Sequence, residues 1–134
     1  MSTVKPGLAG HATLLVEEQH TAPRIGSGLV HVLATPVMIN LMESAALDAA
    51  EHLLPAGHQS LGTKIDVSHV AATPVGQRIT ATAEVVEVAG NRIVFRVEAH
   101  DEIELIGEGT HHRIVVDVGR FDKRVKKKVT TTRA

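Results

Sequence analysis

Apolar residues recur at helical spacing along one stretch of the chain, through Val37, Leu41, Ala45, Ala49 and Leu53, and the pattern stops at Pro55 and Gly57. Thr35 offers a side-chain oxygen as N-cap, and Pro36 suits the first helical position, where a missing N–H costs nothing. The polar residues Asn40, Ser44, Asp48 and Glu51 fall on one narrow stripe, and almost everything else on this helix is apolar. A helix with so little polar circumference is wrapped by its fold rather than laid on it. Elsewhere the period is two. Ile79, Ala81, Ala83 and Val85 alternate with Thr80, Thr82 and Glu84, and Ile93, Phe95, Val97 and Ala99 alternate with Arg92, Val94, Arg96 and Glu98. The segments 60–71, 77–89, 91–102 and 104–118 therefore read as strands, with Gly90-Asn91 and Asp101-Glu102 as hairpin turns. An earlier strand over 10–18 alternates less regularly, and the stretch from Pro23 to Gly28 reads as a flexible connection outside the core. The order predicts an α+β fold in which a five-stranded antiparallel sheet covers one long helix. An uncovered sheet edge or face then suits a second subunit.

The chain has 134 residues, 43 % of them apolar and 22 % charged, which is enough for a single core and too little for two domains. We read one domain over 1–134, with its core at about 10–118 and a basic C-terminal tail over 119–134. The net charge of −1 conceals a split: residues 1–119 carry −7 and residues 120–134 carry +6. Such a basic end is either a solvated tail or a surface for phosphates. Cysteine is absent, which excludes thiol nucleophiles, zinc–thiolate sites and disulfides and fits a reducing compartment. Phe95 and Phe121 are the only aromatic residues, too few for base stacking, so nucleic acid is not an expected partner. The first residues, Met-Ser-Thr-Val-Lys-Pro, lack the apolar core of a signal peptide, and no apolar run is long enough to span a membrane. A cytoplasmic protein with no membrane partner is the expectation.

Three polar residues sit where packing alone would not put them. Glu43 lies off the polar stripe among Ile39, Asn40, Ala46 and Leu47; it either reaches solvent at the helix edge or needs a partner for its charge. His69 shares a face with Ile65 and Val67, as a satisfied core histidine or as the partner of a carboxylate on the covered helix. Thr35 caps the helix, and the same position sets a hydroxyl at the positive helix end, where a developing oxyanion is stabilised. Gly62 marks either a bulge or an exposed N–H, and Arg113, on the face of His111, is a surface cation or an acyl or phosphate ligand. Nine histidines invite a metal reading, but they are scattered, no His-Glu-x-x-His occurs, and His111 and His112 face opposite sides; no metal site is expected. No glycine-rich phosphate loop and no Gly-x-Ser-x-Gly are present.

Four segments together carry a resemblance: Ala34-Thr-Pro-Val-Met-Ile-Asn-Leu-Met-Glu43, Ser60-Leu-Gly-Thr63, Val67-Ser-His-Val-Ala-Ala-Thr-Pro74 and Gly109-Thr-His-His-Arg113. In order and spacing they resemble the fluoroacetyl-CoA-thioesterase-like group of the hotdog-fold acyl-CoA thioesterases, over roughly residues 10–127. The resemblance implies a hotdog fold, a curved antiparallel sheet wrapped around one long central helix, and a homodimer or tetramer with its active site at the subunit interface. It implies Thr35, Glu43 and His69 as catalytic residues and Gly62, Thr63 and Arg113 as substrate-binding ones. It also implies an acyl-CoA substrate and no separate cofactor, since coenzyme A is part of the substrate. The family enzyme carries an aromatic-bearing lid before the helix, where this chain has Gly26-Ser27-Gly28-Leu29, which points to a different acyl group. In the implied mechanism Glu43 attacks the thioester carbonyl or activates water, Thr35 orients it, and His69 manages protons near the leaving thiolate. Other hotdog proteins are hydratases or non-catalytic acyl-CoA-binding proteins, and these release no thiol.

Overall fold

The computed structural model describes residues 3–132, with side chains described through residue 129. The first two residues of the N-terminal segment and the last two of the basic tail lie outside the described residues. Strand β1 (Ala9–Leu15) leads through a 3-10 turn into a short helix α1 (Ala22–Ile25) and a loop, then into the long helix α2 (Thr35–Ala50). Four strands follow, β2 (His58–His69), β3 (Arg78–Ala89), β4 (Arg92–His100) and β5 (Leu105–Asp117), and helix α3 (Val118–Thr132) ends the chain. The strands form one antiparallel sheet in the order β1-β3-β4-β5-β2. Its concave face encloses α2, as the sequence predicted.

The fit depends on small residues. Met38, Leu41, Met42, Ala45, Ala46, Ala49 and Ala50 of α2 are buried against Ile79, Ala81, Ala83 and Val85 of β3 and Ile93, Phe95, Val97 and Ala99 of β4. Alanines on the helix let its backbone approach the sheet closely. At Gly10 of β1 the approach is so tight that a Cβ would sit 2.3 Å from the Ala49 nitrogen. At Gly107 of β5 a Cβ would sit 2.5 Å from the Met38 sulfur.

Several expectations are corrected. The first strand ends at Leu15, three residues early: Val16 keeps the inward phase of Gly10, Ala12 and Leu14 and is fully buried, but Glu18–His20 then turn into the 3-10 segment. The stretch from Pro23 is not uniformly flexible. Residues 22–25 form α1, closed by Gly26 in the left-handed region (φ 96°). Thr35 is the first helical residue rather than the N-cap; Ala34 occupies that position, and the Thr35 hydroxyl bonds elsewhere. The helix continues to Leu53 only as a 3-10 turn. The Gly90-Asn91 turn holds, whereas residues 101–104 form a longer loop, with Asp101 accepting from the N–H groups of Ile103 and Glu104. The basic tail is helical through Thr132: Phe121, Val125 and Val129 repeat every fourth residue among the lysines and arginines. Among the described residues no helix is long and apolar enough to cross a membrane.

Candidate active site along the helix–strand seam

Helix α2, extended by the 3-10 turn that follows it, and strand β2 run past each other in opposite directions and meet at three places: Thr35 with His69, Glu43 with Gly62, and Glu51 of the turn with Ser60. At the first, Thr35 Oγ1 lies 2.7 Å from His69 Nδ1. His69 faces inward because it shares the face of Ile65 and Val67, both partly buried. Burial lowers its pKa, with the Ala71 main chain opposing, so the imidazole is neutral at pH 7. Its Nε2 is buried and has no hydrogen-bond partner among the described residues. A cavity of about 320 Å³ opens beside this pair, lined by Ser27, Leu29, Val30, Thr35, His69 and Ala71 among others. Leu29 on its rim is 94 % exposed.

Glu43 lies eight residues further along the helix, about 12 Å at the usual rise. Its side chain is 40 % exposed, and its Oε2 sits 3.7 Å from Arg113 Nη1 and 4.0 Å from His111 Nε2. The β2–β5 pairing shifts between Gly62 and Lys64, a bulge at Thr63. Gly62, in phase with the buried Ser60 ahead of the bulge, points at the helix, and a Cβ there would lie 2.8 Å from Glu43 Oε2. Only glycine lets the carboxylate rest over this strand. Thr63 sits in the bulge, donating to the His112 carbonyl at 3.2 Å. A second cavity of about 220 Å³ is bounded by Ile39, Glu43, Gly62, Thr63, Lys64, Ile65 and His111.

Beneath this cavity Arg113 is buried. Its pKa is lowered by burial, with Glu51 and Glu43 opposing. His111 is 1 % exposed, and its Nδ1 lies 2.9 Å from the Lys64 carbonyl. A carbonyl only accepts, so Nδ1 carries the proton and Nε2 is left to accept from Arg113 Nη1 at 3.1 Å. Burial first, and the adjacent guanidinium after it, keep this imidazole below its ordinary pKa, against the Lys64 carbonyl bond.

Thus the structure brings Thr35 to His69, and Glu43 to Gly62, Thr63 and Arg113. It does not bring Glu43 to His69 within one chain. The sequence expectation that the strand would carry His69 over Glu43 is corrected: β2 covers Glu43 with Gly62 and reaches Thr35 with His69. Sequence reasoning also missed His111, Ser60 and Glu51 as members of the site. A buried histidine beside an inward arginine was the available signal.

The chain matches the family profile of fluoroacetyl-CoA-specific thioesterases over residues 16–119. The chain belongs to that family. A curated relative, the fluoroacetyl-CoA thioesterase of Streptantibioticus cattleyicolor, is 46 % identical over 97 residues, covering 72 % of this chain and 70 % of the relative. A solved fluoroacetyl-CoA thioesterase superposes with a TM-score of 0.87 at 37 % identity, covering 93 % of this chain and 97 % of the other. A hot-dog-like protein from Thermanaerovibrio acidaminovorans superposes with a TM-score of 0.84 at 27 % identity, covering 92 % and 91 %. The chain therefore has the hotdog fold of this thioesterase family, with the wrapped α2 as its central helix.

Proposed function

We propose that the protein is an acyl-CoA thioesterase that hydrolyses a small or medium acyl thioester to the free acid and coenzyme A. One observation carries the reading. The chain holds two halves of a hydrolytic site, a hydroxyl–imidazole pair and a carboxylate beside a buried guanidinium, each at its own cavity. Family membership supplies the substrate class, and one solved relative, a variant of the fluoroacetyl-CoA enzyme, is a complex with acetyl-CoA. The Gly26-Ser27-Gly28-Leu29 segment at the first cavity carries no aromatic ring, which favours an acyl group other than fluoroacetyl.

About 12 Å of helix separates Thr35 from Glu43, beyond hydrogen-bond reach of a single scissile bond. The working site is accordingly composite: Glu43 of one protomer faces the Thr35–His69 pair of its partner across a homodimer, which two dimers can double into a tetramer. Glu43 then attacks the carbonyl carbon, or takes a proton from the water that does. The carbonyl oxygen becomes an oxyanion held by main-chain N–H groups, with that of Gly62 among them. As the C–S bond breaks the sulfur leaves as thiolate; the proton it takes up is one that water releases, either to Glu43 as that water attacks or when water hydrolyses an acyl–Glu43 anhydride, and His69, held by the Thr35 hydroxyl, relays it. Arg113 stabilises the Glu43 side, and basic residues such as Arg92 and Arg96 are available to the coenzyme A phosphates. No separate cofactor enters these steps, and no metal ion is assigned a role. The lack of cysteine fits a cytoplasmic setting.

The test combines two inactive proteins. Glu43→Gln and His69→Ala homodimers are mixed, allowed to exchange subunits, and assayed for free thiol against a panel of acyl-CoA substrates. In a composite dimer each mixed pair regains one intact site, so roughly a quarter of the wild-type rate returns. No recovery in demonstrably mixed dimers sinks the composite site. Wild-type protein that binds acyl-CoA and releases no thiol sinks the hydrolase.

A further inference from the structure

The third meeting point of helix and strand has no part in the reaction so far. Ser60 and Glu51 lie behind Arg113, on the side away from Glu43. Arg113 has a side chain only 7 % exposed, and a guanidinium so placed requires hydrogen-bonded partners and counter-charge. Its Nε donates to Ser60 Oγ at 2.8 Å, and its Nη2 donates to the Ser60 carbonyl at 3.0 Å. Ser60 in turn donates twice to Glu51, from its main-chain N–H at 2.9 Å and from Oγ at 2.5 Å. The direction is fixed by chemistry. A guanidinium only donates, so the single Ser60 hydroxyl proton goes to the carboxylate. Nη1 is engaged by His111, whose own tautomer is set by the Lys64 carbonyl. All three guanidinium nitrogens are thereby held, and Glu43 lies 3.7 Å from Nη1, within electrostatic range but beyond a hydrogen bond.

We propose that Glu51 and Ser60 are positioning residues that hold Arg113 just short of Glu43, so that the guanidinium stabilises the catalytic carboxylate without occupying its oxygens. A bidentate arginine–carboxylate pair would tie up the lone pairs that must attack carbon or take a proton. Held back, Arg113 contributes its field and leaves the oxygen available. Glu51 has a second effect. When the Glu43 charge is consumed in the acyl-transfer step, Arg113 still has a standing counter-ion, and the protein is spared an uncompensated buried cation. This inference rests on the reading of Glu43 as the catalytic carboxylate.

The experiment compares Glu51→Gln, Ser60→Ala and Glu43→Gln with wild type, each first shown to be folded by circular dichroism and thermal unfolding. Steady-state kinetics use the acyl-CoA that wild type hydrolyses fastest. Glu51→Gln and Ser60→Ala are expected to lower kcat by about 10-fold while KM changes by less than about threefold. The low-pH limb of the kcat profile should move to lower pH in both, because Arg113 is freed to pair with Glu43. A loss of packing alone would lower the rate without moving that limb. Wild-type kcat and an unmoved limb in either folded variant overturn the inference. So does a rise in KM at constant kcat, which would make Arg113 a substrate ligand instead. If Glu43→Gln keeps wild-type turnover, the reading of Glu43 itself fails; if it is inactive while the other two match wild type, only the positioning role fails. Should Glu51→Gln not fold, Ser60→Ala decides.

Discussion

Thr35 and His69 meet as two neutral groups beside an open cavity with an exposed leucine on its rim, whereas Glu43 sits among charges over a buried arginine. The two regions belong to the same helix and the same strand, yet they solve different problems. The first lowers the pKa of an imidazole by burial and joins it to a hydroxyl, an arrangement suited to passing protons. The second sets a half-exposed carboxylate 3.7 Å from a fixed cation, an arrangement suited to a nucleophile or base. In the proposed reading, proton handling and carbon attack stand on separate stretches of the same two elements and are joined only by assembly.

The sharpest way to break this comparison is to remove one member of each region. Glu43→Gln and His69→Ala should each lower turnover by at least ~10² with the fold intact, as free-thiol release and circular dichroism will show. If one of them has no effect, that region has no catalytic role. A smaller effect separates stability from chemistry. Gly107→Ala places a Cβ 2.5 Å from the Met38 sulfur and 2.9 Å from the Ser68 carbonyl, beside His69, and should cost about 1–3 kcal/mol in urea unfolding. Gly62→Ala meets only the movable end of Glu43 at 2.8 Å and the His111 ring at 3.1 Å. It should therefore lower kcat about 10-fold by displacing the carboxylate, with little change in melting temperature. The smallest effect is on pH. His69 and His111 both have lowered pKa values in the fold, so the unfolded chain binds more protons below the ordinary value of 6.5. Their contribution to stability is full above that pH and is lost as pH falls through their folded values. Urea melts of wild type and His111→Gln between pH 7.5 and 5 should show the variant with the shallower dependence.

Much of this architecture was legible in the sequence. The helix was visible because its polar stripe is so narrow, and β3 and β4 because their alternation is regular. Thr35, Glu43 and His69 stood out as polar residues on apolar surfaces. What stayed hidden depends on long-range geometry. Thr35 looked like a cap because Thr-Pro is a good helix start, and only the nearby imidazole redirects its hydroxyl. The bulge at Thr63 leaves no signature in hydrophobic pattern, since Leu61, Gly62, Thr63 and Lys64 do not alternate. Glu51 read as the last member of the polar stripe, because its bonds to Ser60 depend on how the 54–57 turn folds back. The tail helix was masked by charge: six lysines and arginines between 120 and 128 outweigh the four-residue recurrence of Phe121, Val125 and Val129.

The irregularity at Thr63 has a further consequence. Strand β2 carries even-numbered residues inward before it, at Ser60 and Gly62, and odd-numbered ones after it, at Ile65, Val67 and His69. Thr63 is the extra residue that reconciles the two, since Gly62 and Lys64 pair with the consecutive Arg113 and His112; were Thr63 to take an ordinary place in the ladder, the distal half of the strand would turn inside out and send the imidazole to solvent while the glycine kept its place. The two halves of β2 thus face the helix together only while position 63 stands outside the ladder, and a substitution there that keeps the bulge should leave both faces as they are.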